Sequence, residues 1–142
     1  MTNSINHTLF FPNPPAAVWE YLTNSELMEL WLMKNDFQPV VGHDFQFRTN
    51  PLPQFDFDGI VYCKVLEMVP NKKLVYSWKG GPSKDRMTMD SIVEWTLTEK
   101  NDGTELQLVH NGFQNIDKLP IYNAMNEGWR QNMQKIHKFL NT

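Results

Sequence analysis

The sequence predicts an α+β protein: an antiparallel sheet of about six to seven strands, two short helices near the start and one long helix at the end. Two observations carry this. From Leu119 to Leu140, apolar residues Tyr122, Met125, Trp129, Met133, Ile136 and Leu140 recur in steps of three or four, which stacks them on one face of a helix. From Asp36 to His110 the period is instead two, in segments separated by Gly, Pro, Asn and Asp clusters, as in strands joined by turns.

Taken in order, Ile5, His7, Leu9 and Phe11 alternate along a first strand, which Pro12, Pro14 and Pro15 end. Ala16–Leu22 reads as a short helix with Val18, Trp19 and Leu22 turned inward. Thr23 and Glu26 form a capping-box pattern that starts a second one through Leu27, Leu30 and Trp31. Phe45 and Phe47 alternate after Gly42, and residues 50–58, with two prolines and two aspartates, read as an exposed loop. Gly59–Val69 is a strand with Val61, Cys63 and Val65 on one side. A turn at Pro70–Lys73 leads to a strand with Leu74, Tyr76 and Trp78 on one face. Lys79–Asp85 reads as a loop and Ile92–Thr98 as a strand showing Val93, Trp95 and Leu97 on one face. Asn101, Asp102 and Gly103 tolerate positive φ and mark a hairpin. Leu106, Leu108 and His110 return from it, and Asn111-Gly112 leads to the long helix, with Asp117 as its expected cap and Pro120 in its first turn. The opposite face of that helix carries Asn123, Asn126, Glu127, Arg130, Gln134 and Lys138, so it lies on an apolar surface.

At 142 residues, 41% hydrophobic and 13% aromatic, the chain fits one folded domain with a substantial core. A net charge of −3, with 13 basic residues scattered along the sequence, argues against nucleic acid as a partner. The single Cys63 fits a reducing compartment. Residues 1–11 lack a signal-peptide pattern, and no apolar run reaches the roughly 18 residues of a membrane span. A cytoplasmic protein, monomeric or weakly homodimeric, is the expectation.

Several segments resemble a known family. Pro15-Ala16-Ala17-Val18-Trp19, followed by Leu22-Thr23 and Trp31, is similar to the opening of START-like (SRPBCC) domains. Leu74, Tyr76, Ser77 and Trp78 after Pro70 resemble the L-x-F-x-W strand of that superfamily. Gly103-Thr104-x-Leu106-x-Leu108-x-His110-x-Gly112-Phe113 resembles its G-T-x-L-x-L-x-H-x-G-F segment, and Gly128-Trp129 its helix signature. The combination looks most like the branch named for the activator of heat shock protein 90 ATPase. The resemblance implies a helix-grip fold, in which a curved sheet wraps the long helix and leaves an apolar cavity between them. Two departures stand out: Ala16 and Ala17 where many relatives carry an acidic residue, and Cys63 where glycine is common. The eukaryotic activator has an additional N-terminal domain, so the resemblance does not carry chaperone activation with it.

Enzyme motifs are scarce. There is no G-x-S-x-G elbow, H-E-x-x-H helix or paired C-x-x-C, and Gly80-Gly81-Pro82-Ser83-Lys84 lacks phosphate-loop spacing. His7, His43, His110 and His137 are far apart, so no metal site is expected. No cofactor is expected either. Cys63 has no neighbouring base to activate it, and Asp56 and Asp58 read as solvated loop carboxylates. His110 continues the inward alternation of Leu106 and Leu108. It either meets a ligand at the cavity mouth or bonds a backbone carbonyl at the strand end. Phe45, Phe47, Tyr76, Trp78, Trp95, Met125, Trp129 and Met133 either line a pocket for a flat apolar ligand or fill the core themselves. Gly128, costly in mid-helix, marks either a close approach or a need for room, or is tolerated drift. Three functions follow: non-catalytic binding of a lipid- or polyketide-like molecule; partnership with heat shock protein 90 in the stress response; or a cyclase/aromatase-type reaction using His110 with Tyr76.

Overall fold

A computed structural model describes residues 4–111 and 120–142. The N-terminal strand β1 (Ile5–Phe11) leads through helices α1 (Pro15–Thr23) and α2 (Ser25–Trp31) into a two-residue strand β2 (Lys34–Asn35). Strands β3 (Asp44–Arg48), β4 (Ile60–Val69), β5 (Lys73–Gly80), β6 (Met89–Lys100) and β7 (Gly103–Asn111) follow, and helix α3 (Tyr122–Leu140) ends the chain. All seven strands join one antiparallel sheet in the order β1-β7-β6-β5-β4-β3-β2, curled as a half-barrel. The first strand thus crosses to pair with the last, Ile5 opposite His110 and Phe11 opposite Thr104.

The local chemistry explains the joins. Asn101 and Asp102 both adopt positive φ (51° and 61°) in the two-residue turn between Lys100 and Gly103, the conformation that matches the twist of a hairpin. A shift in register between Val65 and Glu67 marks a bulge of β4 within its ladder with β5, just past the end of its pairing with β3. The alternation expected of the strands is present: Val61, Cys63 and Val65, then Tyr76 and Trp78, then Val93, Trp95 and Leu97, then Leu106, Leu108 and His110 are all buried on one face. Helix α3 lies on that face through Trp129, Met133 and Ile136, each at most 2% exposed. Among the described residues no helix is long and apolar enough to cross a membrane.

Several details differ from expectation. Asn24, not Thr23, caps α2: its Oδ1 accepts from the N–H groups of Glu26 and Leu27 at 3.0 and 3.2 Å. Thr23 is still helical, and its hydroxyl donates to Trp19 O one turn back. Within α2, Met28 and Trp31 are buried whereas Leu30 is exposed. Helix α3 begins at Tyr122, so Pro120 precedes it. The expected cap Asp117, Leu119 and the Gly112-Phe113 segment lie outside the described residues. Strand β6 begins at Met89, three residues before the expected start, because β5 runs on to Gly80 and keeps pairing with it. Residues 50–58 are not a plain exposed loop. A 3-10 turn at Pro53–Phe55, the bridge between Leu52 and Phe57, and Gly59 at φ 92° fold them into a tight excursion that buries Phe57.

Candidate functional site

The long helix does two different things along its length. Its second half packs solidly, with Met133 and Ile136 closed over by the sheet and by α1 and α2. Its first half stands over a pocket of about 210 Å³, to which it contributes Ala124, Met125, Gly128, Trp129 and Asn132, with Ile121 added from its N-cap. These positions again recur at three and four, so one helical stripe roofs the space. The floor is Val61, Trp78 and Met89, at the neighbouring ends of β4, β5 and β6. Leu52 and Phe57 enter from the folded excursion, Thr49 from beside it, and Leu32 and Met33 from the end of α2.

Each wall has a local cause. Asn35 holds the α2–β2 corner: its amide donates to Met33 O and Ser25 O at 3.0 and 3.2 Å, while its Oδ1 accepts from Phe37 N at 3.0 Å. That corner aims Leu32 and Met33 at the pocket. Phe57 is turned in by hydrogen bonds with Leu52 in both directions and by Asp56 in the left-handed region at φ 54°. Gly59 beside it tolerates no side chain, since a Cβ would lie 2.4 Å from Thr49 O. Gly128 is the opposite case: a Cβ there meets nothing within 4 Å. The position provides room and is no point of close approach.

Of the nine side chains expected to bind a ligand, the structure brings Trp78, Met125 and Trp129 onto the pocket wall. Phe45, Phe47, Tyr76, Trp95, His110 and Met133 are buried behind that wall. The aromatic residues among them form a continuous stack: Phe45–Phe47 at 5.3 Å, Phe47–Trp78 at 5.4 Å, Trp78–Trp129 at 5.0 Å and Trp95–Trp129 at 5.6 Å between ring centroids. They therefore back the site and hold its two tryptophans in place.

His110 is embedded in this stack. The indole Nε1–H of Trp129 donates to its Nδ1 at 3.1 Å, and its Nε2 lies 2.8 Å from Ser91 Oγ. The Ser91 hydroxyl has one proton and gives it to Trp78 O at 2.8 Å. Ser91 Oγ must then accept from His110, which places the imidazole proton on Nε2 and leaves Nδ1 as an acceptor, as Trp129 requires. Burial holds this neutral form by lowering the pKa to about 3. The Ser91–His110 pair has the spacing of a nucleophile and its base, but the protons run the wrong way and both groups are sealed from solvent. Tyr76, its expected acid–base partner, accepts instead from Trp95 Nε1 at 3.0 Å, and burial raises its pKa further from neutrality. The two are tied to different partners.

Sequence reasoning missed Phe57, Met89, Leu52, Leu32, Met33 and Ser91. An apolar Leu, Phe and Phe inside a stretch otherwise rich in Pro and Asp was the one available signal, at Leu52, Phe55 and Phe57. Asp58 accepts from Ile60 N at 3.0 Å, closing the excursion. Among the described residues no group of three or more His, Cys, Asp or Glu is placed to hold a metal. Cys63 is buried, and burial, with Asp36 adding, pushes its thiol well above the usual range.

Residues 12–141 match the family model described as activator of Hsp90 ATPase homolog 1-like protein. The crystal structure of protein MLL2253 from Mesorhizobium loti is similar over 98% of this chain and 97% of its own, at 34% identity and a TM-score of 0.84. The solution structure of protein BH1534 from Bacillus halodurans covers 97% and 98%, at 25% identity and a TM-score of 0.75. The Aha1 dimer from Colwellia psychrerythraea shares the fold, with a TM-score of 0.76 at 20% identity over 96% of this chain and 94% of that one. Among curated proteins, none matches the chain.

Proposed function

The chain belongs to the family of activator of Hsp90 ATPase homolog 1-like proteins, and from that premise we propose that it holds a small apolar or aromatic molecule between sheet and C-terminal helix, without chemistry on it. One observation carries the proposal. A space of about 210 Å³ is walled by aliphatic side chains, three methionines, Phe57 and two tryptophans, with polar side chains, among the described residues, only at Thr49 and Asn132. Walls of this kind suit a flat apolar guest, and methionine adapts to its outline. An apolar cavity of about 150 Å³ accepts benzene. The present one suits one substituted ring or two fused rings, and it is below the roughly 300 Å³ at which drug-sized ligands are taken.

The absence of chemistry rests on His110 and Tyr76. The only acid–base pair the residues suggested stands behind the wall, and burial drives each partner toward its neutral form. A cyclase-like reaction would need such a group facing the guest.

The test is a titration with lipids and one- and two-ring polyketide-like aromatics, followed by tryptophan fluorescence. Trp78 and Trp129 form the wall, so saturable quenching is expected, and it should vanish in a Gly128→Leu variant whose side chain occupies the pocket. A panel that produces no saturable response up to millimolar concentration overturns the proposal. A second reading, partnership with heat shock protein 90, is supported by the family match alone. It predicts capture of the chaperone and altered ATPase rates; unchanged rates would count against it.

A further inference from the structure

Four tryptophans are at least nine-tenths buried, and three of them use the indole N–H on a protein acceptor. Trp31 donates to Tyr21 O at 2.7 Å, Trp95 to Tyr76 Oη at 3.0 Å and Trp129 to His110 Nδ1 at 3.1 Å. The fourth, Trp78, is 4% exposed, and its Nε1–H has no partner among the described residues. A buried donor left unmatched carries its full desolvation cost, and folded proteins rarely tolerate one without a reason. The Trp78 side chain is also a wall of the pocket, with Nε1 itself covered.

Resting on the reading of that pocket as a binding site, we infer that Trp78 Nε1 is its polar determinant, and that the ligand is a one- or two-ring apolar molecule bearing a neutral carbonyl-type oxygen that accepts from the indole. The acceptor is neutral because, among the described residues, no Lys, Arg or His lines the pocket, and a carboxylate would give up its hydration without a counter-charge. It is a carbonyl and not a hydroxyl because a hydroxyl brings a proton that itself needs an acceptor. Among the described residues, the only lining side chains with an acceptor oxygen are Thr49, which is exposed, and Asn132, which is half-buried. Met89 and Met125 share the wall with Trp78, and unbranched side chains yield to an incoming group at small cost.

The experiment compares two ligands of one carbon skeleton, α-tetralone and tetralin, on protein with 15N-labelled tryptophan, the Trp78 indole signal being assigned by its loss in Trp78→Phe. After correction for each ligand's partition out of water, tetralone is expected to bind about fivefold to tenfold more tightly. Only tetralone should move the Trp78 indole signal downfield, and Trp78→Phe should remove the preference. Equal corrected affinities, an unmoved Trp78 signal, or a preference that survives Trp78→Phe overturns the assignment of the donor while leaving the pocket as a binding site. Failure of both ligands to bind at millimolar concentration removes the pocket reading and this inference with it.

Discussion

Gly128 offers the sharpest test of how the helix is used. Glycine in a helix interior is about 1 kcal/mol less favourable than alanine, because it loses more backbone freedom on folding. Crowding would oppose the change only if a methyl group met a neighbour, and here nothing lies within 4 Å of the added Cβ. Gly128→Ala is therefore expected to stabilise the protein by up to about 1 kcal/mol. At about 2.1 cal/mol/K per residue, the 142-residue chain should gain about 3 °C in Tm. Gly128→Leu, with nearly the helix propensity of alanine, should fold at least as well as the wild type while filling the pocket. Thermal unfolding by circular dichroism, run beside the fluorescence titration, reads both effects. Opposite signs are the signature: stability up, binding down. Loss of stability in Gly128→Ala would mean the helix approaches a neighbour there, and the pocket beneath it would be refuted.

Replacing His110 by Phe strands the Trp129 donor and removes the donor to Ser91 Oγ, so a loss of roughly 2–4 kcal/mol at pH 7 is expected in urea unfolding. The wild type carries a pH dependence with a definite sign. The His110 pKa is about 3 when folded, so between the unfolded value near 6.5 and about 3 the unfolded chain binds the extra proton. Its contribution is intact above about pH 6.5 and is lost as pH falls, by on the order of 1 kcal/mol per pH unit; the variant should show a shallower slope over that window. Asn24→Ala should cost about 1 kcal/mol through the lost cap of α2, and Thr23→Ala, measured in parallel, clearly less. Cys63 should resist a thiol reagent in the native protein and react only at denaturant concentrations that unfold it; stoichiometric labelling under native conditions would contradict its burial.

Much of the fold was legible in the chain because it is written in local periods. Alternation at two marks the inward faces of β4, β5, β6 and β7, and the spacing of Trp129, Met133 and Ile136 marks the buried stripe of α3. Positive-φ residues at Asn101 and Asp102 announce their hairpin. These signals are short-range, so no knowledge of distant contacts is needed to read them. Boundaries were less legible. The cap at Asn24 and the early start of β6 depend on which of two neighbouring residues leaves helical geometry and on how far a partner strand extends.

The sequence by itself determined which residues are inward: the aromatic and methionine set belongs to one continuous interior, because periodicity assigns faces. Only the tertiary structure decided which of those inward side chains touch each other and which border empty space. Trp78 and Trp95 both face inward from adjacent strands, yet one lines the pocket and keeps an unmatched N–H, whereas the other is closed in against Tyr76. A cavity is the small volume left when segments remote in sequence fail to meet, here the first half of α3, the end of α2 and the excursion around Phe57. No local pattern encodes such a difference, so the site had to be found in three dimensions.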